Sequence, residues 1–288
     1  MTRLLIRPGG IGDSITCFPA MEWLRADYTE VWVPSAIVPL VQFADRVRSI
    51  SSTGIELLGV GELAAPVPLR ESLAPFGDIV TWYGSNRSEF PEAAHRLNPN
   101  WRFLAALPAK DSALQATDFY AEQIGAPLGL VPCLQTPPQE SRATVVIHPF
   151  SGGRSKNWPL PRFRELAEAL PLPVEWTAGP EEDLPEARRF ENLFELACWI
   201  RGAALFIGND SGVTHLAAAT GVPTVGLYGE SNAKTWRARG ERMIAVAKPS
   251  VEEIRVIEVL DAAKAVLSLP TGERHSEQRF DQIGRQLR

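Results

Sequence analysis

One carboxylate in this sequence stands where it could take a proton from a substrate hydroxyl. Asp13 follows the apolar run 4–6 and the loop Gly9-Gly10-Ile11-Gly12. Apolar residues at helical spacing come next, so the loop is predicted to join a buried strand to a helix, with Asp13 or Ser14 as the N-cap. Asp13 is therefore a helix cap or an ionised general base at the carboxyl end of a strand, and the two roles are compatible.

The same glycine loop fails the dinucleotide-binding fingerprint. After Gly10 and Gly12, the pattern needs a third small residue at position 15, where Ile15 stands. The next predicted strand, 31–33, ends without the acidic residue that would bind a ribose. The sequence therefore disfavours NAD and FAD, and the glycines are interpreted as positions where a ligand approaches the backbone closely.

A second candidate site is the turn Gly208-Asn209-Asp210-Ser211-Gly212, which lies between an apolar run and a small-residue helix. Backbone N–H groups at the start of a helix have no partner inside it and carry partial positive charge. The turn can therefore hold a phosphate or carboxylate without a basic side chain. His215, on the following helix, either contacts such a phosphate or is a hydrogen-bonded core residue.

A third loop carries Arg154, Ser155 and Lys156 between a predicted strand, 144–147, and a predicted helix, 161–170. Backbone N–H groups of such a loop can wrap a diphosphate, and Lys156 or Arg154 can add positive charge. The alternative is that both side chains are solvent-facing charges on a turn. A P-loop is excluded, because no Gly-Lys-Ser/Thr follows a glycine at the required spacing.

Two glutamates follow the predicted strand 174–177. Glu181 or Glu182 could accept hydrogen bonds from a ribose at the end of that strand. Acidic residues in the first turn of a helix are the simpler interpretation, because they interact favourably with the helix dipole.

The elements that must position these loops alternate in the manner of an α/β protein. Strands are predicted from the apolar runs 4–6, 31–33, 55–60, 79–82, 144–147, 174–177, 204–207, 224–228 and 244–247. Helices are predicted for the segment after Asp13, for the segment after Gly212, and for 36–44, 89–97, 116–124, 161–170, 193–200 and 251–267.

The proline-rich segment 126–142 breaks this pattern and is predicted to be an interdomain linker. The domains are predicted as 1–138 and 139–269, followed by a polar tail, 270–288, that is disordered or packs on the first domain.

Composition narrows the function classes. The 288 residues have a net charge of −5, so no global basic field favours nucleic acid, and an anion must be bound locally. The three cysteines have no metal-ligand spacing and fit a reducing compartment. The sequence contains neither a signal peptide nor a membrane-spanning run, so a cytoplasmic protein is expected.

The three loops together resemble those of glycosyltransferase family 9, the ADP-heptose:lipopolysaccharide heptosyltransferases. The resemblance rests on four stretches in family order: Gly12-Asp13 with Pro19 downstream, Ser155-Lys156-Asn157-Trp158-Pro159, the stretch from Asn209 to Ala219, and Tyr228-Gly229-Glu230-Ser231. It implies a GT-B fold, in which two Rossmann-like domains with parallel sheets face each other across a cleft. The C-terminal domain would hold a nucleotide-sugar donor and the N-terminal domain an acceptor.

The resemblance also implies roles for single residues. Asp13 matches the family's proposed general base, beside the acceptor-side glycines Gly9, Gly10 and Gly12, and Lys156 matches its phosphate-binding lysine. The donor-binding turn would comprise Asp210, Ser211, Gly212 and His215. Glu182, or in its place Glu181, would be the acid that binds the nucleoside.

The reaction implied is an inverting, metal-independent transfer of a sugar, heptose by resemblance, from an ADP-linked donor. The acceptor would be a hydroxyl of a glycan or a lipopolysaccharide-core-like molecule, and no further cofactor is needed. A lipid-linked acceptor would allow peripheral contact with the inner face of the cytoplasmic membrane. The segment 81–86 departs from the family's acceptor-side pattern. Two alternatives stay open: a non-catalytic sugar-nucleotide-binding GT-B protein, and a nucleotide-sugar 2-epimerase-like enzyme.

Overall fold

The computed structural model describes residues 1–60 and 65–269, which contain two five-stranded sheets. The strands of the first sheet are β1 (Thr2–Ile6), β2 (Tyr28–Val33), β3 (Arg46–Ser49), β4 (Asp78–Thr81) and β5 (Trp101–Phe103). The strands of the second sheet are β6 (Arg142–His148), β7 (Val174–Trp176), β8 (Ala203–Asn209), β9 (Thr224–Tyr228) and β10 (Met243–Ala247). All eight strand pairings are parallel.

The α-helices of the described residues connect these strands, except that the last helix follows β10. They are α1 (Ile11–Trp23), α2 (Val67–Leu73), α3 (Glu89–Leu97), α4 (Ala116–Glu122), α5 (Leu160–Ala169), α6 (Leu193–Arg201), α7 (Gly212–Thr220), α8 (Ala233–Trp236) and α9 (Val256–Ser268). Short 3₁₀ helices lie at Ser35–Leu40, Ile50–Ser52, Ile55–Leu57, Arg154–Lys156 and Val251–Glu253. None of the helices in this part of the chain is long and apolar enough to span a bilayer.

The strand order places a crevice in each sheet. The first sheet runs β3-β2-β1-β4-β5 and the second runs β10-β9-β8-β6-β7. The direction of winding therefore reverses between β1 and β4, and again between β6 and β8. In parallel sheets, ligands bind outside the carboxyl ends of the strands at such reversals. The loops after β1, β6 and β8 are the three loops that the sequence identified.

The central strands are continuous apolar runs because helices cover both faces of each sheet. Leu4, Leu5 and Ile6 of β1 are completely buried. One hydrophobic cluster joins the two sheets: it contains Phe18 of α1, Leu216 of α7 and other side chains from both halves of the chain. The two halves therefore share a core along the contact between α1 and α7.

Several elements differ from the sequence-based predictions. The predicted strand 55–60 is wrong: Ile55–Leu57 is a 3₁₀ helix, because Gly54 and Gly59 on either side have a φ of +73° and turn the chain. The predicted helix 36–44 is only the 3₁₀ helix Ser35–Leu40. β3 and β5 were not predicted, since β3 reads Arg-Val-Arg-Ser and β5 has only three residues.

The predicted helix 251–267 is divided in two. Val251–Glu253 is a 3₁₀ helix, and α9 begins only at Val256. The five strands of the first sheet precede residue 138 and the five of the second follow it. The domain boundary at 138 stays a prediction, and the predicted tail 270–288 lies outside the described residues.

Candidate active site

Asp13 lies in the first turn of α1, directly after β1. The helix begins at Ile11 with Gly10 as its N-cap, so the prediction of Asp13 or Ser14 as the N-cap is wrong. Asp13 is instead the third helical residue, and its Oδ2 accepts a hydrogen bond from the Gly10 N–H at 2.9 Å. Gly9 has a φ of +109°, a backbone conformation that few other residues adopt. The glycines thus let the chain turn back over the Asp13 carboxylate.

The turn before α7 is held by the side chain of Asn209. Its Oδ1 accepts a hydrogen bond from the Trp158 N–H at 3.1 Å, and its Nδ2 donates to the Pro149 carbonyl at 2.8 Å. Asn209 is completely buried. The loop after β8 is therefore fixed to the loop after β6 by hydrogen bonds that no solvent reaches.

Lys156 and Asp210 form an ion pair across these two loops. Lys156 Nζ lies 2.8 Å from Asp210 Oδ2, and the Lys156 side chain is 39% exposed whereas that of Asp210 is 6% exposed. Ser151 Oγ donates to the Asp210 carbonyl at 2.7 Å. The predicted phosphate-binding lysine therefore does stand at the start of α7, with Asp210 as its partner.

Arg154 and Ser155 stand apart from this ion pair. Both lie with Lys156 in the 3₁₀ helix Arg154–Lys156, and both are exposed. The structure shows neither of them in a hydrogen bond with the Asp210 turn. Their predicted role in donor binding stays a prediction.

Ser211 is the N-cap of α7, but its side chain makes no capping hydrogen bond to the helix. Gly212 begins the helix and packs directly on α1: a Cβ at this position would lie 2.6 Å from the Ile11 Cβ and 3.1 Å from the Gly12 nitrogen. Atoms this close must shift, so only glycine fits here. The amino ends of α1 and α7 therefore meet, although they come from different sheets.

His215 lies at that meeting point. A Cβ on Gly12 would lie 3.0 Å from the His215 Cδ2, and the imidazole makes a hydrogen bond with the Trp236 backbone. Burial lowers the pKa of His215 and outweighs the opposing charges of Asp210 and Asp13; Lys156 lowers it further. His215 is a buried, hydrogen-bonded residue, and its contact with a donor phosphate stays a prediction.

Glu182 follows β7 and is held by a histidine that sequence reasoning missed. Its Oε2 accepts hydrogen bonds from the Gly179 N–H at 2.6 Å and from His148 Nε2 at 3.0 Å. Burial alone would raise the pKa of Glu182, but the bonds from His148 and Gly179 lower it overall. His148 ends β6 and is buried. Its position one residue after a predicted strand was the only signal for it.

Three charged side chains of the site influence the fourth, His215. Asp13, Asp210 and Lys156 all shift the pKa of His215. Gly12 of α1 packs against His215, Gly212 packs against Ile11, and the Lys156–Asp210 pair lies at the start of α7, so the loops that carry these residues lie together. Among residues 1–60 and 65–269, no group of three or more His, Cys, Asp or Glu side chains could hold a metal ion.

Residues 191–266 match the model of glycosyltransferase family 9, the heptosyltransferases. The resemblance to glycosyltransferase family 9 is confirmed. The matched region includes β8, α7 and β9, and so the whole Asp210 turn. Lipopolysaccharide heptosyltransferase 3 of Escherichia coli is 29% identical over 151 residues. That match covers 45% of this chain and 43% of the relative, less than half of either.

Solved structures of similar proteins show the same fold. The family 9 glycosyltransferase of Veillonella parvula has a TM-score of 0.72 at 17% identity, with 92% of this chain and 97% of that chain covered. ADP-heptose lipopolysaccharide heptosyltransferase II of E. coli has a TM-score of 0.68 at 18% identity, with 93% and 98% covered. E. coli heptosyltransferase WaaC with ADP has a TM-score of 0.66 at 14% identity, with 92% and 100% covered. The predicted GT-B fold is confirmed.

Proposed function

We propose that this protein is a glycosyltransferase that moves heptose from ADP-heptose to a hydroxyl of a lipopolysaccharide-core-like acceptor. The observation that carries the proposal is the close packing of the first turn of α1, which holds Asp13, on the first turn of α7, where the Lys156–Asp210 pair lies. A proton acceptor and a phosphate-binding turn on opposite halves of a GT-B fold are what glycosyl transfer requires. A structure of E. coli WaaC contains ADP-2-deoxy-2-fluoro heptose, which supports an ADP-linked heptose as the donor.

In the proposed reaction, the acceptor oxygen attacks the anomeric carbon of the donor while Asp13 takes the proton from that hydroxyl. The bond between the anomeric carbon and the diphosphate oxygen breaks on the opposite face, so the configuration inverts. ADP leaves with the electron pair of the broken bond.

The start of α7 would stabilise the charge that develops on the departing diphosphate. Backbone N–H groups of Gly212 and its neighbours have no partner within the helix and no side-chain cap from Ser211. Lys156 adds a full positive charge at the same place. Such preorganised charges supply the role that a metal has in other glycosyltransferases, and we propose a metal-independent reaction.

The Lys156–Asp210 pair has a further consequence for donor binding. Lys156 Nζ donates a hydrogen bond to Asp210 Oδ2 at 2.8 Å, so its long side chain is directed at the turn. A donor diphosphate would share Lys156 with Asp210, whose carboxylate could accept hydrogen bonds from sugar hydroxyls. Glu182, fixed by His148 and Gly179, would bind the nucleoside end of the donor.

The experiment that tests this function begins with thermal unfolding in the presence of ADP, UDP, GDP or CMP. A ligand that binds only the folded state stabilises it by about 2.7 kcal/mol at a hundredfold excess over Kd. We expect the largest shift with ADP. A shift with none of the four would contradict the proposal.

Transfer is then measured by mass spectrometry with ADP-heptose and truncated lipopolysaccharide cores. The expected result is a heptose-sized mass increase in the acceptor and release of ADP. Stabilisation by ADP without transfer to any core would identify a non-catalytic nucleotide-sugar binder. Conversion of a nucleotide sugar without an acceptor would identify an epimerase.

A further inference from the structure

Arg7 is a completely interior cation directly behind the Asp13 turn. It follows β1, and only 1% of its surface is exposed. Its guanidinium donates to the Ala106 carbonyl at 3.1 Å, to the Tyr120 hydroxyl at 2.8 Å and to the Asp13 carbonyl. The guanidinium carbon lies 4.7 Å from the centre of the Tyr120 ring. Every one of these acceptors is electrically neutral.

An arginine buried in this way is costly unless it is matched by negative charge. Arginine stays protonated in proteins, so Arg7 cannot escape the cost by losing its proton. The Asp13 carboxylate supplies a negative charge on the same turn. The charges of Arg7 and Asp13 act in opposite directions on one buried group, the Cys17 thiol, whose pKa burial raises to about 12.

The contact between Arg7 and Asp13 has the fork geometry that only arginine provides. Nε and Nη2 of Arg7 both donate to the Asp13 carbonyl oxygen, at 3.2 and 3.0 Å. Thr16 Oγ1 donates to the same oxygen at 3.2 Å. Arg7 and Thr16 thus hold the Asp13 carbonyl, while the Gly10 N–H holds the Asp13 Oδ2 at 2.9 Å.

We propose that Arg7 is a positioning residue for Asp13: it binds the Asp13 carbonyl and thereby fixes the direction in which the Asp13 carboxylate faces the acceptor hydroxyl. With the backbone and one carboxylate oxygen fixed, Oδ1 is the oxygen that receives the proton. Arg7 is buried beneath the turn, and its side-chain hydrogen bonds go to Asp13, Ala106 and Tyr120 and not to the Lys156 loop or the α7 turn. This inference rests on the proposed function, because it assigns Asp13 the role of base.

The test compares Arg7→Lys with wild type under steady-state turnover of ADP-heptose and acceptor. Lysine keeps the positive charge but cannot bind one carbonyl with two nitrogens. A displacement of about 1 Å at a reacting group can cost about 100-fold in rate. We expect kcat to fall by about 10- to 100-fold, whereas KM for ADP-heptose and the thermal shift with ADP stay near wild type.

The double variant Arg7→Lys/Asp13→Asn separates positioning from general damage. If Arg7 acts through Asp13, the lysine substitution has no further effect on the residual rate once Asp13 is an amide. If the two losses multiply, or if KM and ADP binding weaken as much as kcat, the positioning role is wrong. Near-normal transfer by Asp13→Asn alone would instead overturn the base assignment within the proposed function.

Two further variants keep the test decisive if Arg7→Lys folds poorly. Tyr120→Phe retains the ring and removes only the hydroxyl that accepts from Arg7 Nη2. It should lower kcat by less than Arg7→Lys does, and again only when Asp13 is intact.

The matched control is Arg48→Lys. Arg48 also lies over an aromatic ring, since its guanidinium carbon is 5.4 Å from the centre of the Trp32 ring, but it belongs to β3. Arg48→Lys should leave kcat unchanged, and an equal loss there would contradict the proposal.

Discussion

The turn before α1 and the turn before α7 have the same local design, and the proposed function gives them opposite chemical uses. Each follows a buried strand beside the winding reversal of its sheet, and each begins a helix at a glycine-containing turn. At α1, the Gly10 N–H is occupied by the Asp13 carboxylate. At α7, the Ser211 side chain leaves the first N–H groups of the helix uncapped. The first turn presents a carboxylate, and the second is suited to receive an anion.

The two turns also differ in the positively charged side chain that accompanies each of them. At α1, the cation is the buried Arg7, which is directed at the backbone. At α7, the cation is Lys156, which is partly exposed and paired with Asp210. A fixed interior charge suits a group that must keep one position, whereas an accessible charge suits a group that must meet a ligand.

The strongest challenge to this comparison is Asp13→Asn. The amide cannot take a proton, and removal of a general base costs about 100- to 10,000-fold in rate. We expect kcat for heptose transfer to fall by this amount, while ADP binding measured by calorimetry changes little. Asp261→Asn, at an exposed position on α9, is the control and should have normal activity. Equal losses in kcat and ADP affinity would show that the two turns do not divide the chemistry in this way.

Lys156→Gln tests the other turn. Hydrogen bonds to charged groups contribute about 1.5–3 kcal/mol, so ADP affinity should fall by about 10- to 100-fold. The rate of transfer should fall as well, because the leaving diphosphate loses the same charge. Lys264→Gln, an exposed lysine of α9, serves as the control for charge alone. Unchanged ADP affinity in Lys156→Gln would contradict a role in phosphate binding.

Gly212→Ala tests whether the two turns must be in close contact. The new Cβ would lie 2.6 Å from the Ile11 Cβ, so α1 and α7 must move apart. Overpacking of this kind costs about 1–3 kcal/mol, which urea unfolding would measure. Gly152→Ala is the matched control, since a Cβ at that loop position meets nothing within 4 Å. Wild-type stability and activity in Gly212→Ala would show that the close contact is unnecessary.

The smallest expected effect concerns pH and His215. Its pKa is lowered in the folded state, so below its ordinary value near 6.5 the unfolded chain binds more protons than the folded one. Stability should therefore fall as pH drops from 7 towards 5, by at most about 1.4 kcal/mol per pH unit from this group. Urea unfolding of wild type and His215→Gln at pH 7, 6 and 5 measures the difference. Parallel pH dependence in the two proteins would exclude His215 as the source.

Local chemistry was sufficient to predict the α/β class and the positions of the three loops between strand and helix. A buried parallel strand is a continuous apolar run, and a helix start after it is marked by glycine and small polar residues; both signals lie within about a dozen neighbouring residues. The strand before Gly9 and the strand before Asp210 were predicted for this reason. β3 and β5 were not, because a short edge strand buries few apolar side chains and leaves little pattern to detect.

The sequence by itself determined the candidate residues for the chemistry: Asp13, Lys156 and the Asp210 turn follow from their types and their neighbours. Only the tertiary structure decided which other residues hold the site in place. Arg7 binds a carbonyl 99 residues away and a phenol 113 residues away, and Glu182 is held by His148 34 residues earlier. No periodicity reports such partners, because they are brought together by the winding of the sheets and by the packing of α1 on α7.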